Sequence, residues 1–158
     1  MEKPWRSSSL KSVKARGTDM KLLLDSSAIA KRYKRESGHD AVARLLMDAH
    51  TVVLAAHCKA EIASSLSREV YDRSIDMEQY VYAMGEVTQD FVDFDVRPIS
   101  PEIETLAIAA MTHNRLRAMD ALHIGTAQAA RVDLFVTADR KQALAAQAAG
   151  LKTELIEA

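Results

Sequence analysis

An open parallel α/β sheet with helices on both faces is the fold this sequence predicts. Short β-branched or leucine-rich runs alternate with segments of helical period along the chain, the pattern of α/β layering. The first run, 20–24, carries three successive leucines, Leu22–Leu24, rather than an alternating pattern, as expected of a strand buried on both faces. A length of 158 residues suits one ordinary domain with a real core.

The elements follow in order. Residues 20–24 (MKLLL) read as a buried strand ending at Asp25. A helix is expected over 26–36, broken by Gly38, and another over 40–49 with Val42, Leu45 and Leu46 on its apolar face. The run 51–56 is the second strand. A helix over 58–72 follows, with Ile62, Leu66 and Val70 on one face. Asp76 is placed to cap the next helix, to about Phe91. Residues 94–99 form a weak strand ended by proline. Ser100 and Pro101 then supply the cap and first position of a helix over 100–114. The segment 119–131 is apolar on most sides, so it reads as a central helix. A strand over 133–138, a helix over 139–149 closed by Gly150, and a strand over 152–157 complete the chain.

Residues 1–19 differ from the rest. Five cations against two acids give them a net charge of +3 and leave −4 of the chain's −1 for the remainder. They read as a disordered basic leader or a mis-assigned start at which Met20 is the true first residue, with the domain spanning 20–158. No apolar run approaches the roughly 18 residues of a membrane span. A lone Cys58 excludes a disulfide framework and a Cys-rich zinc site. A cytoplasmic location is expected. There is no GxGxxG, P-loop or HExxH spacing, which disfavours dinucleotide, NTP and zinc-protease chemistry.

In an open parallel sheet, ligands bind outside the carboxyl ends of the strands. Four acids fall at that edge: Asp25 after the first strand, Glu61 and Asp120 in first turns of helices, and Asp139 beyond the fourth strand. Each could be a helix cap, favoured by free N–H groups and the helix dipole. Capping does not explain the apolar settings of Asp25, beside Leu22–Leu24, and of Asp120, among Ala118, Met119, Ala121 and Leu122. Half-buried acids brought together repel unless a cation neutralises them. Mg²⁺ or Mn²⁺ suits such oxygen donors and supports phosphodiester hydrolysis. The hydroxyls of Ser27 and Thr137 lie two residues from Asp25 and Asp139, as local turn bonds or as orienting partners of a ligating acid. Arg117 is a candidate for holding a phosphate. The cationic run 31–36 is a candidate for facing an RNA backbone but reads rather as solvent-facing. His57 and His123 are candidates for general bases or ligands but read rather as satisfied structural histidines, and Cys58 reads as core.

Four blocks read together, LLLDSSAIAKRY, AEIASSL, MDALHIGTA and LFVTADRKQALAAQAAGL, resemble the PIN-domain family, in particular the VapC-like toxins of bacterial toxin–antitoxin pairs. The resemblance runs from Met20 to the C-terminus. It implies a three-layer sandwich around a central parallel sheet of about five strands. It implies that Asp25, Glu61, Asp120 and Asp139 bind Mg²⁺ or Mn²⁺ for RNA cleavage, with Ser27 and Thr137 at the family's hydroxyl positions. Homodimerisation and inhibition by a small cognate antitoxin are further implications. The expected function is therefore a metal-dependent endoribonuclease. A DNA nuclease with the same acids, or a non-catalytic binding or regulatory module, are the alternatives.

Overall fold

The computed structural model describes residues 19–157. The expected leader therefore lies, apart from Asp19, outside the described residues. The five strands are β1 (Lys21–Leu24), β2 (Thr51–Ala55), β3 (Asp95–Arg97), β4 (Leu134–Thr137) and β5 (Thr153–Leu155). They form one parallel sheet in the order β3-β2-β1-β4-β5. The helices are α1 (Ser26–Tyr33), α2 (His39–Asp48), α3 (Cys58–Tyr71), α4 (Met77–Asp90), α5 (Pro101–His113), α6 (Ala118–Ala130) and α7 (Arg140–Ala148).

Pleating sends successive side chains of each strand to opposite faces. Leu22, Leu24, Val52, Leu54, Leu134 and Val136 pack with Ile29, Val42, Ile62, Leu66 and Val87 of α1–α4. Leu23, Val53 and Phe135 pack on the other face, with Ala110 of α5, Ile124 and Ala127 of α6, and Ala145 and Ala146 of α7. The result is the three-layer α/β sandwich expected from the sequence. The small residues of the second layer let its helices lie close. α6 is central as anticipated, with Ala121, His123–Ala127 and Ala130 buried.

Local signals account for the helix starts. Asp76 and Gln79 close a reciprocal capping box on α4, with both bonds at 2.8 Å. Ser100 Oγ accepts from Ile103 N at 3.2 Å ahead of Pro101. α1 stops at Tyr33, short of the expected residue 36. Its last turn is tied instead to α4: the Arg32 guanidinium pairs with Asp90, and Tyr33 Oη donates to Asp90 Oδ2 at 3.0 Å. The chain then reverses at Gly38, which takes the left-handed φ of 94° that glycine tolerates best. The run 31–36 is thus not the solvated stripe expected. Arg32 and Tyr33 enter the α1–α4 interface, and Lys31 and Lys34 turn toward a cleft at the sheet edge.

The chain crosses from β1 to one side for β2 and β3, then returns to the other side of β1 for β4. Strand order therefore reverses between β1 and β4, and a crevice opens above their carboxyl ends. Asp25 N donates to Val136 O at 3.0 Å and binds the two strand ends together.

Two glycines report how closely the helices pack. A Cβ on Gly125 of α6 would lie 2.6 Å from the Ile103 carbonyl oxygen and 3.0 Å from Ala107 N of α5, both backbone atoms. A Cβ on Gly85 of α4 would meet nothing within 4 Å. Gly125→Ala should therefore destabilise the fold by about 1–3 kcal/mol through overpacking. Gly85→Ala should stabilise it by about 0.8–1 kcal/mol through helix propensity. Urea unfolding midpoints of the two variants should move in opposite directions.

Candidate active site

Asp25 stands where β1 becomes α1. Its extended backbone makes it the N-cap, and its Oδ1 accepts from Ala28 N at 3.0 Å and from Ser27 Oγ at 2.6 Å. Its Oδ2 accepts from Thr137 Oγ1 at the end of β4. The two hydroxyls also reach across the strand ends. Ser27 Oγ accepts from Ala138 N at 2.9 Å, and Thr137 Oγ1 accepts from Asp139 N at 3.0 Å. Asp25 is 4% exposed. Burial pushes its carboxyl above the ordinary carboxylate value, more strongly than these hydrogen bonds lower it. The residue that sequence reasoning set apart from capping is thus a cap as well, and one whose charge burial makes costly.

Asp139 caps α7, with Oδ1 accepting from Lys141 N at 2.8 Å and Gln142 N at 3.1 Å. Glu61, in the first turn of α3, does not cap. Its Oε1 accepts from Ser26 Oγ at 2.9 Å and His123 Nε2 at 2.8 Å, and lies 3.0 Å from His57 Nε2. Burial works against ionisation of Glu61, but the bonds from His123, His57 and Ser26 win and hold the carboxyl well below the usual carboxylate range. Asp120, in the first turn of α6, pairs with Arg117 Nε at 3.1 Å. Its setting differs from the apolar one expected. Ala118 and Met119 are exposed and the Asp120 side chain is partly open, because the helix begins at the cleft rim.

All four acids line a single cleft of about 380 Å³ at the β1–β4 crevice. Ser27 and Arg117 line it too. So do Lys31, Lys34 and Arg68, which sequence reasoning did not connect with the acids. The donor set is carboxylate oxygen from four separate elements, the hard-ligand chemistry of Mg²⁺ or Mn²⁺. The buried charge of Asp25 is of the kind that a cation compensates. Among the described residues, the ligand atoms that lie within 4.8 Å of one another are those of His57, Glu61 and His123, and with the carboxylates of Asp25, Asp120 and Asp139 lining the same cleft the donor types suit a divalent ion.

His57 and His123 are not the self-contained structural histidines expected. Their rings lie 4.3 Å apart, and both face Glu61. The spacing held a signal. His57 and Glu61 stand at i and i+4, and Asp120 and His123 at i and i+3, so each pair shares a helix face. Ser26, immediately after Asp25, gave no such signal.

A family model described as PIN domain matches residues 22–148. No curated protein sequence matches the chain. Among solved structures, the chain is similar to FitAcB from Neisseria gonorrhoeae, at 15% identity and a TM-score of 0.66, over 84% of this chain and 95% of that one. It is similar to VapBC2 from Rickettsia felis, described as bound to a DNA fragment from their promoter, at 14% identity and 0.63, over 86% and 98%. It is also similar to Mycobacterium tuberculosis VapC20, described as a sarcin–ricin loop cleaving toxin, at 16% identity and 0.61, over 82% and 95%. At these identities the likeness is one of fold.

The environment of Asp25 yields a prediction about stability. Its folded-state pKa lies above the unfolded value of about 3.9. Its contribution is therefore full below that value and is lost as pH rises through the folded one. In EDTA at pH 7, Asp25→Asn should melt at a higher temperature than the wild type, and the gain should vanish below about pH 4. Mn²⁺ should raise the melting temperature of the wild type and leave the variant's nearly unchanged. A wild type that outlasts the variant at pH 7 in EDTA would contradict this account.

Proposed function

The chain belongs to the PIN-domain family, and from that premise we propose that it is a divalent-metal-dependent endoribonuclease, the toxin of a toxin–antitoxin pair. One observation carries the reading: Asp25, Glu61, Asp120 and Asp139, drawn from four separate elements, line the same crevice. Together they would hold one or two Mg²⁺ or Mn²⁺ ions. Bound there, such an ion supplies an activated water and stabilises the charge that builds on a cleaving phosphodiester.

The chain's own residues do the positioning. Ser27 and Thr137 engage both oxygens of Asp25, so its carboxylate does not rotate when substrate arrives. Arg117 at the rim offers a guanidinium that suits a phosphate oxygen. Lys31, Lys34 and Arg68 on the cleft wall offset the acids, so a polyanion is not turned away at the entrance. Lys34 is held in place by Glu69 at 2.6 Å and by Ser65.

The toxin role is supported by the solved neighbours described as toxins or toxin–antitoxin complexes, including one from Klebsiella pneumoniae. A cognate antitoxin and a second copy of the chain are the proposed protein partners. Met77 and Val81, one turn apart on α4, are exposed, as are Tyr71 and Val92. Apolar surface of this kind suits a protein partner. Among the described residues, no helix is long and apolar enough to cross a membrane. The cytoplasm, where RNA and antitoxin are met, is the proposed location.

A second reading rests on the capping bonds of Asp25 and Asp139. Acids so employed would also serve a binding module without catalysis. Incubation with RNA in Mn²⁺ separates the readings. The wild type should cleave, EDTA should abolish cleavage, and Asp25→Ala should lose about 10²-fold or more, the scale of removing one electrostatic element from a transition-state site. Cleavage that survives in EDTA or in Asp25→Ala would refute the metal site, and a wild type inert on RNA would favour the binding module. Single-stranded DNA run in parallel, if cut equally well, would replace RNA as the substrate class.

A further inference from the structure

Every hydrogen bond that Glu61's carboxylate accepts among the described residues falls on one oxygen. Ser26 Oγ donates at 2.9 Å and His123 Nε2 at 2.8 Å, both to Oε1, while His57 Nε2 stands 3.0 Å from the same oxygen with its hydrogen directed to the Met119 carbonyl. A carboxylate oxygen offers two lone pairs, so these two donors fill it. Oε2 takes none of them, and the residue lines the cleft.

Both rings carry their hydrogen on Nε2. His57 Nε2 is also 2.9 Å from the carbonyl oxygen of Met119, which only accepts, so that nitrogen carries the hydrogen. His123 Nε2 faces a carboxylate, which likewise accepts. The Nδ1 atoms of both rings are buried and make no hydrogen bond among the described residues. A hydrogen there would be an orphaned donor, whereas an unused lone pair costs less. The surroundings therefore select the Nε2–H tautomer in each ring. His123 is 1% exposed, and the two rings pack 4.3 Å apart at 49° to each other, so neither has room to turn.

We propose that His123, braced by His57 anchored on the Met119 carbonyl, is a positioning residue for Glu61: it holds Oε1 and leaves Oε2 as the oxygen that meets a divalent cation. The clamp joins α3, which packs on one face of the sheet, to α6, which packs on the other. The inference rests on the reading of Glu61 as a cation ligand.

Two measurements test it. In the metal-free wild type, long-range ¹⁵N–¹H NMR correlations should show Nε2–H for both rings, and an Nδ1–H form of either would overturn the clamp without reference to any metal. Calorimetric titration with Mn²⁺ then reads the consequence. His123→Leu, which keeps the bulk and removes the donor, should bind Mn²⁺ about 10–100-fold more weakly. His123→Gln, whose amide donates an N–H, should recover most of that loss, with far-UV circular dichroism confirming that both variants fold. Equal losses in the Leu and Gln variants would mark the ring itself as a ligand and overturn the proposal. Glu61→Gln separates the premise from the inference. If Mn²⁺ binding is unaffected by it, both fall. If it weakens binding while His123→Leu does not, the positioning role alone falls.

Discussion

The Asp25 carboxylate is the knot on which the cleft depends. One of its oxygens is held by its own helix, through Ser27 and Ala28, and the other by Thr137 on a neighbouring strand. Its backbone N–H meets Val136 O on that same strand. β1 and β4 are adjacent only because the strand order reverses between them, and this residue occupies the reversal. Asp139 inherits its place from the arrangement, since its N–H rests on the Thr137 hydroxyl that donates to Asp25. A single residue, through its backbone and its side chain, thus ties two strand ends together, caps one helix and supports the approach to another.

The cleft treats its acids in opposite ways. Asp25 is buried among donors too few to offset its desolvation, so its charge is costly in the absence of a counter-ion. Glu61 is more open and is surrounded by donors, so its charge is secure. Asp120 leans on an arginine at the rim, and Asp139 on the N-terminus of α7. A pocket built this way keeps its acids together without a uniform repulsion, because each has a separate local answer to its own charge. What remains unanswered is concentrated at Asp25, in the deepest position.

Much of this was legible in the sequence. Local rules placed the elements: Asp76 with Gln79 and Ser100 with Pro101 start helices by chemistry contained within four residues, and the leucines of β1 announce a strand covered on both faces. The four acids were legible from topology, because a parallel sheet gathers strand ends and helix starts on one edge. The surroundings of Glu61 were not. His123 reaches it across 62 positions from a helix on the other face of the sheet, a pairing that no local period encodes. Asp120 was misread for a related reason. Ala118 and Met119 look like a core when written out, but they begin a helix at an open rim, where apolar neighbours do not imply burial. The end of α1 was misplaced because Asp90, far along the chain, holds its last turn.

The bond between Thr137 and Asp25 spans 112 positions, which bears on the order in which the molecule comes into being. β1 leaves the ribosome well before β4, and until β4 follows the Asp25 carboxylate lacks one of its three donors, Thr137. At about 5–20 residues per second, that interval is roughly 6–22 s. Until then the crevice has one wall, and Asp139 has not yet been made. A nascent chain therefore carries no assembled cleft until both Thr137 and Asp139 have followed Asp25. The topology itself thus sets the order of assembly: the cleft is closed by the later strand and not by the earlier one.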